Sequence, residues 1–355
     1  MLFRSLVTSD SPDAIAARVR LARATWWAGD HADASSVVAD LRAAPYARSW
    51  VAVELALAAA GSGDVPGVRL LLDHAVDPAA AGVLWRVEAD ALLEAGDSAA
   101  AAQAFATLMG RYEGDRQASA AVELGRLPIA AGDVVTGRSL LLDGFERGSG
   151  LTKIRAAETL TDLGGHGFTR TLELARTLDR AGDGRRALLG YDRAESLATV
   201  EGETFPETSR LERARLMSTV SGRQAEALEE FREIRETTEN ARIGARNLEV
   251  WAQMRSRQGM SAQVSTLRRW LLEEYPTSSE AAEVAWNQGS NAEARGDLDG
   301  ALDRYAFLAE NVRTHTRAGQ ARMRSGQIHL RRSNLERAAA VFEAYLADFP
   351  DGRRW

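Results

Sequence analysis

Apolar residues along this chain recur at spacings of three and four, in blocks separated by short polar breaks. The spacing puts each block's apolar side chains on one face of a helix. The breaks have a recurrent form, Gly-Asp, at Gly29-Asp30, Gly63-Asp64, Gly96-Asp97, Gly132-Asp133, Gly182-Asp183 and Gly296-Asp297. Looser versions stand at Gly222-Arg223, Gly259-Met260 and Ser333-Asn334, so the last four breaks are 37 residues apart and the first three are 34 and 33 apart. No sustained alternation of Val, Ile, Thr and aromatics bounded by turns marks a strand.

The positions around each break repeat as well. Five residues after it stand Ala34, Val68, Ala101, Gly137, Ala187, Ala227, Val264, Ala301 and Ala338, all small or β-branched. Nine after it stand Val38, Leu72, Phe105, Leu141, Tyr191, Phe231, Arg268, Tyr305 and Phe342, apolar or aromatic except Arg268, where Leu267 one position earlier suggests a shifted register. Seven before it stand Ala22, Ala56, Ala89, Gly125, Ala175, Arg215, Ala252, Gly289 and Gly326, small with the exception of Arg215.

These offsets predict a helical hairpin. Glycine closes the first helix in a left-handed cap, and the following Asp caps the second by accepting backbone N–H bonds. Small residues on both sides of the turn let the helices cross closely, and the large residue fills the groove between them. Pro276 and Pro350, each seventeen residues after a break, end second helices. Pro128, four residues before a break, predicts a short or kinked first helix.

With this period and these offsets the chain resembles the tetratricopeptide repeat family, most closely over 286–350, where Gly289, Gly296, Ala301, Tyr305, Gly326, Ala338, Phe342 and Pro350 fall at the motif spacing. The expected fold is all-α, a right-handed superhelical solenoid of about nine hairpins. Its expected division is 1–150 tetratricopeptide-like repeats, 151–210 an irregular helical segment with one repeat and a loop, and 211–355 further repeats truncated at the C-terminus. The 50-residue gap between Gly132 and Gly182 leaves room for an added helix in "GLTKIRAAETLTDLGG", and "TVEGETFPET" at 199–208 reads as a loop.

Composition narrows the chemistry. The net charge is −6 with acids and bases intermixed, so no basic stripe suggests a nucleic-acid partner. Of 44 basic residues only Lys153 is lysine, a bias that, with abundant Ala and Gly, fits a GC-rich genome better than phosphate binding. With no cysteine, disulfides, thiolate metal sites and cysteine nucleophiles are excluded. No apolar run reaches transmembrane length, so no membrane insertion is expected. "MLFRSLVTSD" lacks a signal-peptide core and "DGRRW" ends the chain abruptly, so a fragment of a longer protein is expected.

Candidate chemical groups reduce to structural readings. His31, His74, His166, His315 and His329 are scattered without metal-ligand spacing. "LGGHGF" at 163–168 lacks the Lys-Ser/Thr of a phosphate loop and reads as a linker. The carboxylates of "EALEEFREIRETTE" fit a solvated helix face, with Arg232 between Glu229 and Glu236. Trp251, Trp270 and Trp286 read as packing between hairpins. Of the adjacent Trp26-Trp27 pair one must face away from the other, which marks it as the better surface candidate. No catalytic, cofactor-binding or metal-binding residue is expected.

The stretch from "YPTSSEAAEVAWNQGSNAEARGDLDGALDRYAFLAE" to "FPDGRRW" also resembles the superhelical domain of bacterial soluble lytic transglycosylases, in which "YP" closes a unit ahead of an Ala-rich helix with Trp and a Gly-Asp turn. The resemblance implies a periplasmic, non-catalytic scaffold for a C-terminal lysozyme-like domain that cleaves peptidoglycan with a Glu beside Ser. The one Glu-Ser noted, Glu195-Ser196, lies in the repeat helix "YDRAESLA" outside such a context, so no catalytic residue carries over. The alternative is a repeat adaptor for proteins of the cell envelope, acting in outer-membrane assembly or division, with a cytoplasmic location also open. The expected partners are peptidoglycan, or a protein or peptide, on the concave face, together with the scaffold's own missing C-terminal domain. No nucleic acid is expected.

Overall fold

The computed structural model describes residues 11–42, 44–313 and 315–349. Among these, nineteen α-helices and one short 3-10 turn, Leu72–His74, account for the regular structure, and there is no strand. The helices are α1 (Pro12–Trp27), α2 (His31–Ala39), α3 (Pro45–Gly61), α4 (Val65–Leu71), α5 (Pro78–Glu94), α6 (Ser98–Arg111), α7 (Asp115–Ala130), α8 (Val134–Arg147), α9 (Gly150–Leu163), α10 (Phe168–Ala181), α11 (Gly184–Glu201), α12 (Glu207–Met217), α13 (Gln224–Thr237), α14 (Ala241–Arg257), α15 (Ser261–Glu274), α16 (Ser279–Ala294), α17 (Leu298–Asn311), α18 (Thr316–Arg331) and α19 (Leu335–Asp348). Sixteen of them form eight hairpins across predicted breaks, and α10 and α11 flank the remaining break, Gly182-Asp183. The remaining one, α9, is the added helix expected in the wide gap. The protein is an all-α array of helical hairpins.

The turn chemistry is as the sequence implies. Gly29, Gly63, Gly96, Gly132, Gly182, Gly222, Gly259 and Gly296 all take positive φ, and the ninth break places a non-glycine, Ser333, at φ 57°. The six Asp residues at the breaks cap the following helix. Asp30, Asp64, Asp97, Asp133, Asp183 and Asp297 accept the N–H of Asp33, Gly67, Ala100, Thr136, Arg186 and Gly300 respectively. At the three looser breaks Arg223, Met260 and Asn334 make no side-chain cap.

Packing follows the offsets. Ala22, Ala56, Ala89, Ala34, Val68, Ala101 and Ala301 are fully enclosed, and Phe105, Leu141, Tyr191, Phe231 and Tyr305 are among the largest buried side chains. Helices α7 and α8 cross closely, and a Cβ added at Gly137 would lie 2.5 Å from the Gly125 carbonyl oxygen. Three expectations need correction. Pro128 does not shorten α7, which runs sixteen residues with the proline inside it, two residues before its end. Leu72 is only half-buried because the 3-10 turn begins there, and Leu71 takes its packing place. The stretch 199–208 is helical through Glu201, and its loop is confined to 202–206.

The chain divides into two compact units, Met1–His166 with Arg170–Ala187, and Gly167–Thr169 with Leu188–Trp355. In the first, α3 lies beside α1 and α5; in the second, α14 lies beside α12 and α16, and α16 beside α18. First helices thus neighbour first helices, so the outward faces of consecutive first helices form continuous surfaces.

Candidate functional site

Most of these first-helix surfaces are closed by charge. In the first unit Arg86, Arg126 and Arg155 converge on Glu123 at 3.2, 3.4 and 3.4 Å, and Arg111 covers the Trp85 ring at 4.7 Å. In the second unit Arg317 of α18 grips Glu283 of α16 through two hydrogen bonds, 2.8 and 2.9 Å, and lies over the Trp286 ring at 5.1 Å. Beside it, Trp286, Gln320, Met323, Arg324 and Gln327 line a cavity of about 450 Å³. Trp251 is buried against Phe231, and Trp270 lies under Arg235 at 3.8 Å, so the tryptophans of this unit pack as the sequence suggests.

The N-terminal hairpins differ. Trp26 turns inward and stacks on His31 with ring centroids 4.2 Å apart, which leaves the adjacent Trp27 pointing outward, 71% exposed. A helix turns ~100° per residue, so neighbouring positions cannot share a face. On α3, Tyr46 is 69% exposed, with Trp50 one turn later and its ring 6.1 Å away. Leu57, two turns further along the same stripe, is also exposed. An ion pair, Arg23–Glu54 at 2.6 Å, joins α1 to α3. Because Trp27 follows Arg23 by one turn and Trp50 precedes Glu54 by one turn, all four apolar side chains flank that pair on one surface. The sequence pointed to the Trp26-Trp27 pair; it did not single out Tyr46, Trp50 and Leu57. Their i, i+4, i+11 spacing was the available signal, hidden because the same spacing also describes a buried face.

The other sequence candidates have structural roles. His74 accepts or donates between Ser35 Oγ (2.7 Å) and Arg48 (3.2 Å), and His315 caps α18. The "LGGHGF" stretch is the α9–α10 connection, held by Arg138 donating to the Gly164 and Gly165 carbonyls at 2.8 Å each. Arg232 pairs with Glu229 at 2.6 Å on an exposed face. Glu195 joins an ion network in which Arg213 contacts Asp192, Glu195 and Glu230 at 2.8, 2.9 and 3.1 Å. Burial raises the Glu195 carboxyl, Arg213 opposes that, and Glu230 and Asp192 add to it. Ser196 Oγ donates back to the Asp192 carbonyl within the helix, so the pair does not converge on a common point. Among the described residues no three His, Asp or Glu side chains gather as a metal site.

No protein-family model matches the chain, and no curated protein is similar to it. Solved structures that it resembles include a monomeric mutant of IFIT1 with m7Gppp-AAAA (15% identity, 84% of this chain and 69% of that one, TM-score 0.29). A circular tandem repeat protein with novel repeat topology and enhanced subunit contact surfaces (18%, 96% and 83%, 0.21) and the P58(IPK) TPR domain (13%, 99% and 93%, 0.21) are further examples. At these scores the superpositions are loose, and the assignment of the fold rests on the hairpins themselves.

Proposed function

We propose that this chain is a non-catalytic helical-repeat scaffold that holds a polypeptide segment on the first-helix face of its N-terminal hairpins. The observation that carries this is the exposed cluster of Trp27, Tyr46, Trp50 and Leu57 around the Arg23–Glu54 ion pair. Aromatic side chains give large contact area at low entropic cost and dominate interface energetics. A ligand segment with apolar or aromatic side chains would bury them, and Arg23 and Glu54 would orient it by its polar groups. The test is selection of binding peptides from a displayed library. Selected peptides should bind at least tenfold more weakly to Trp27→Ala and Trp50→Ala, with helix content unchanged. Peptides that bind both variants as well as the parent protein would end this reading.

The resemblance over 275–355 supports a narrower version, in which the array is the scaffold of a peptidoglycan lytic transglycosylase in the bacterial envelope. Tyr275-Pro276 closes α15 ahead of the Ala-rich α16 with its Trp286 and the Gly296-Asp297 turn, the order that family uses. The exposed aromatics would then face glycan or stem peptide. The coding sequence beyond Trp355 is the test: a lysozyme-like domain with Glu-Ser supports it, and a stop codon supports the envelope adaptor. No helix among the described residues is long and apolar enough to cross a membrane.

A further inference from the structure

The ninth position after each break carries a large apolar residue in every hairpin but one. The exception, Arg268 on α15, has Leu267 buried in its stead and is itself turned toward a cavity of about 800 Å³ between α15, α16 and α17. Arg268, Arg269, Arg295 and Arg304 line that cavity, against two carboxylates, Glu273 and Asp297. Both carboxylates are occupied. Glu273 lies 4.0 Å from Arg269, and Asp297 caps α17 at 2.9 Å. Arg268, Arg295 and Arg304 form no ion pair among the described residues. The Nε of Arg268 and the Oε1 of Gln288, which lines the same cavity, are both buried without a hydrogen-bond partner. Leu272, Ala292 and Phe307 supply an apolar wall.

The next interval of the array is an internal control. Between α17, α18 and α19, at positions 37 residues later, a cavity of about 650 Å³ has Tyr305 in place of Arg268, Ala306 in place of Arg269 and Val341 in place of Arg304. Its acids, Asp299, Asp303 and Glu310, match its arginines, Arg313, Arg322 and Arg337, in number. The fold therefore makes a cavity at this place in each of two consecutive intervals; both hold arginines without an ion pair among the described residues, Arg313 and Arg337 in the later one, but only the earlier one has more arginines than carboxylates in its lining. A buried donor without a partner costs stability. An arginine at a packing position is explained if something completes its hydrogen bonds.

We infer that the cavity between α15, α16 and α17 binds a compact organic polyanion, a phosphate ester or polycarboxylate, through Arg268, Arg295 and Arg304, with the Gln288 amide meeting a hydroxyl of the ligand. Guanidinium forks match both oxyanions in geometry, and three unpaired cations call for at least two negative charges. The volume lies within the ~300–1,000 Å³ range of small-molecule sites. This site is separate from the N-terminal aromatic face and does not depend on the function proposed for it.

Calorimetric titration at low ionic strength with pyrophosphate, with citrate and with glucose as a neutral control tests the inference. Pyrophosphate or citrate should bind with 1:1 stoichiometry while glucose does not. Tighter binding of pyrophosphate assigns the phosphate class, and tighter binding of citrate the carboxylate class. Arg268→Leu, which removes the guanidinium from the cavity wall while Leu267 keeps the buried packing place, should weaken binding at least tenfold. Arg304→Gln, on an exposed part of the wall, should do the same. Absence of binding by either anion, or equal binding by the parent protein and both variants, would overturn the inference.

Discussion

At the scale of single residues the hairpins are governed by steric limits that leave few alternatives. Ser333 holds φ 57°, a conformation that costs an L-residue roughly 1–2 kcal/mol. Ser333→Gly should therefore raise the stability measured by urea unfolding by roughly 1 kcal/mol, and the reverse direction, Gly296→Ala, should lower it similarly. Ala301 is fully enclosed where α17 crosses α16, so Ala301→Leu should cost ~1–3 kcal/mol by overpacking. Asp297→Ala removes one cap bond and should cost less, ~0.5–2 kcal/mol. Equal and negligible effects at both sites would show that the offsets do not report packing. These positions were legible because backbone sterics and helix capping act within a few residues. Arg268 was visible as an exception, but its meaning depends on α16 and α17, whose side chains the local pattern does not place.

At the scale of elements, what the sequence leaves open is how helices are tied together outside the repeat. The added helix α9 has no cap of its own from Ser149. Asp115, at the start of α7, supplies one, accepting from Ser149 N (2.6 Å) and Oγ (3.0 Å) and from Thr152 Oγ1 (3.2 Å). The 34-residue separation hides this from a local reading. Asp115→Ala should cost about 1 kcal/mol as a lost cap, and hydrogen exchange should quicken in the first turn of α9 while α14–α19 stay unchanged; uniform acceleration would contradict a local role. A second tie closes the α3–α4 hairpin. Burial, then the nearby Arg48, lowers the His74 imidazole below its ordinary 6.5, with Asp73 opposing. The unfolded chain then binds a proton at pH values where the folded chain keeps His74 neutral. Stability is fully present above 6.5 and falls as pH drops through the lowered folded value. The urea midpoint should decline as pH falls from 6.5 through that lowered value, and His74→Gln should flatten the decline. A variant with an unchanged pH profile would remove His74 from the account.

At the scale of the whole molecule, the period of the breaks revealed an all-α repeat array because every hairpin repeats the same solution to the same packing problem. The binding face was less legible, since an exposed stripe such as Tyr46, Trp50 and Leu57 has the periodicity of a buried one, and only neighbouring helices decide which it is. The catalytic question turns on Glu195, the carboxylate whose neighbour is serine. A raised carboxyl suits a general acid, but proton delivery to a glycosidic oxygen also requires that oxygen to come within hydrogen-bond reach. Arg213 occupies the Glu195 carboxylate at 2.9 Å, and Ser196 is bonded back into its own helix. Asp192 and Glu230 share the same guanidinium but are also paired with Arg223 at 2.6 Å and Arg210 at 2.7 Å, so Glu195 depends on Arg213 the most. The chain should therefore release no soluble muropeptides from purified peptidoglycan, and Glu195→Gln should leave that result unchanged. Arg213→Met, by contrast, should lower the unfolding midpoint, because Glu195 would lose its guanidinium partner in a partly buried setting while Asp192 keeps only Arg223 and Glu230 only Arg210. Muropeptide release by the parent chain that disappears in Glu195→Gln would make this helix an active site and reverse the reading of the molecule as a scaffold.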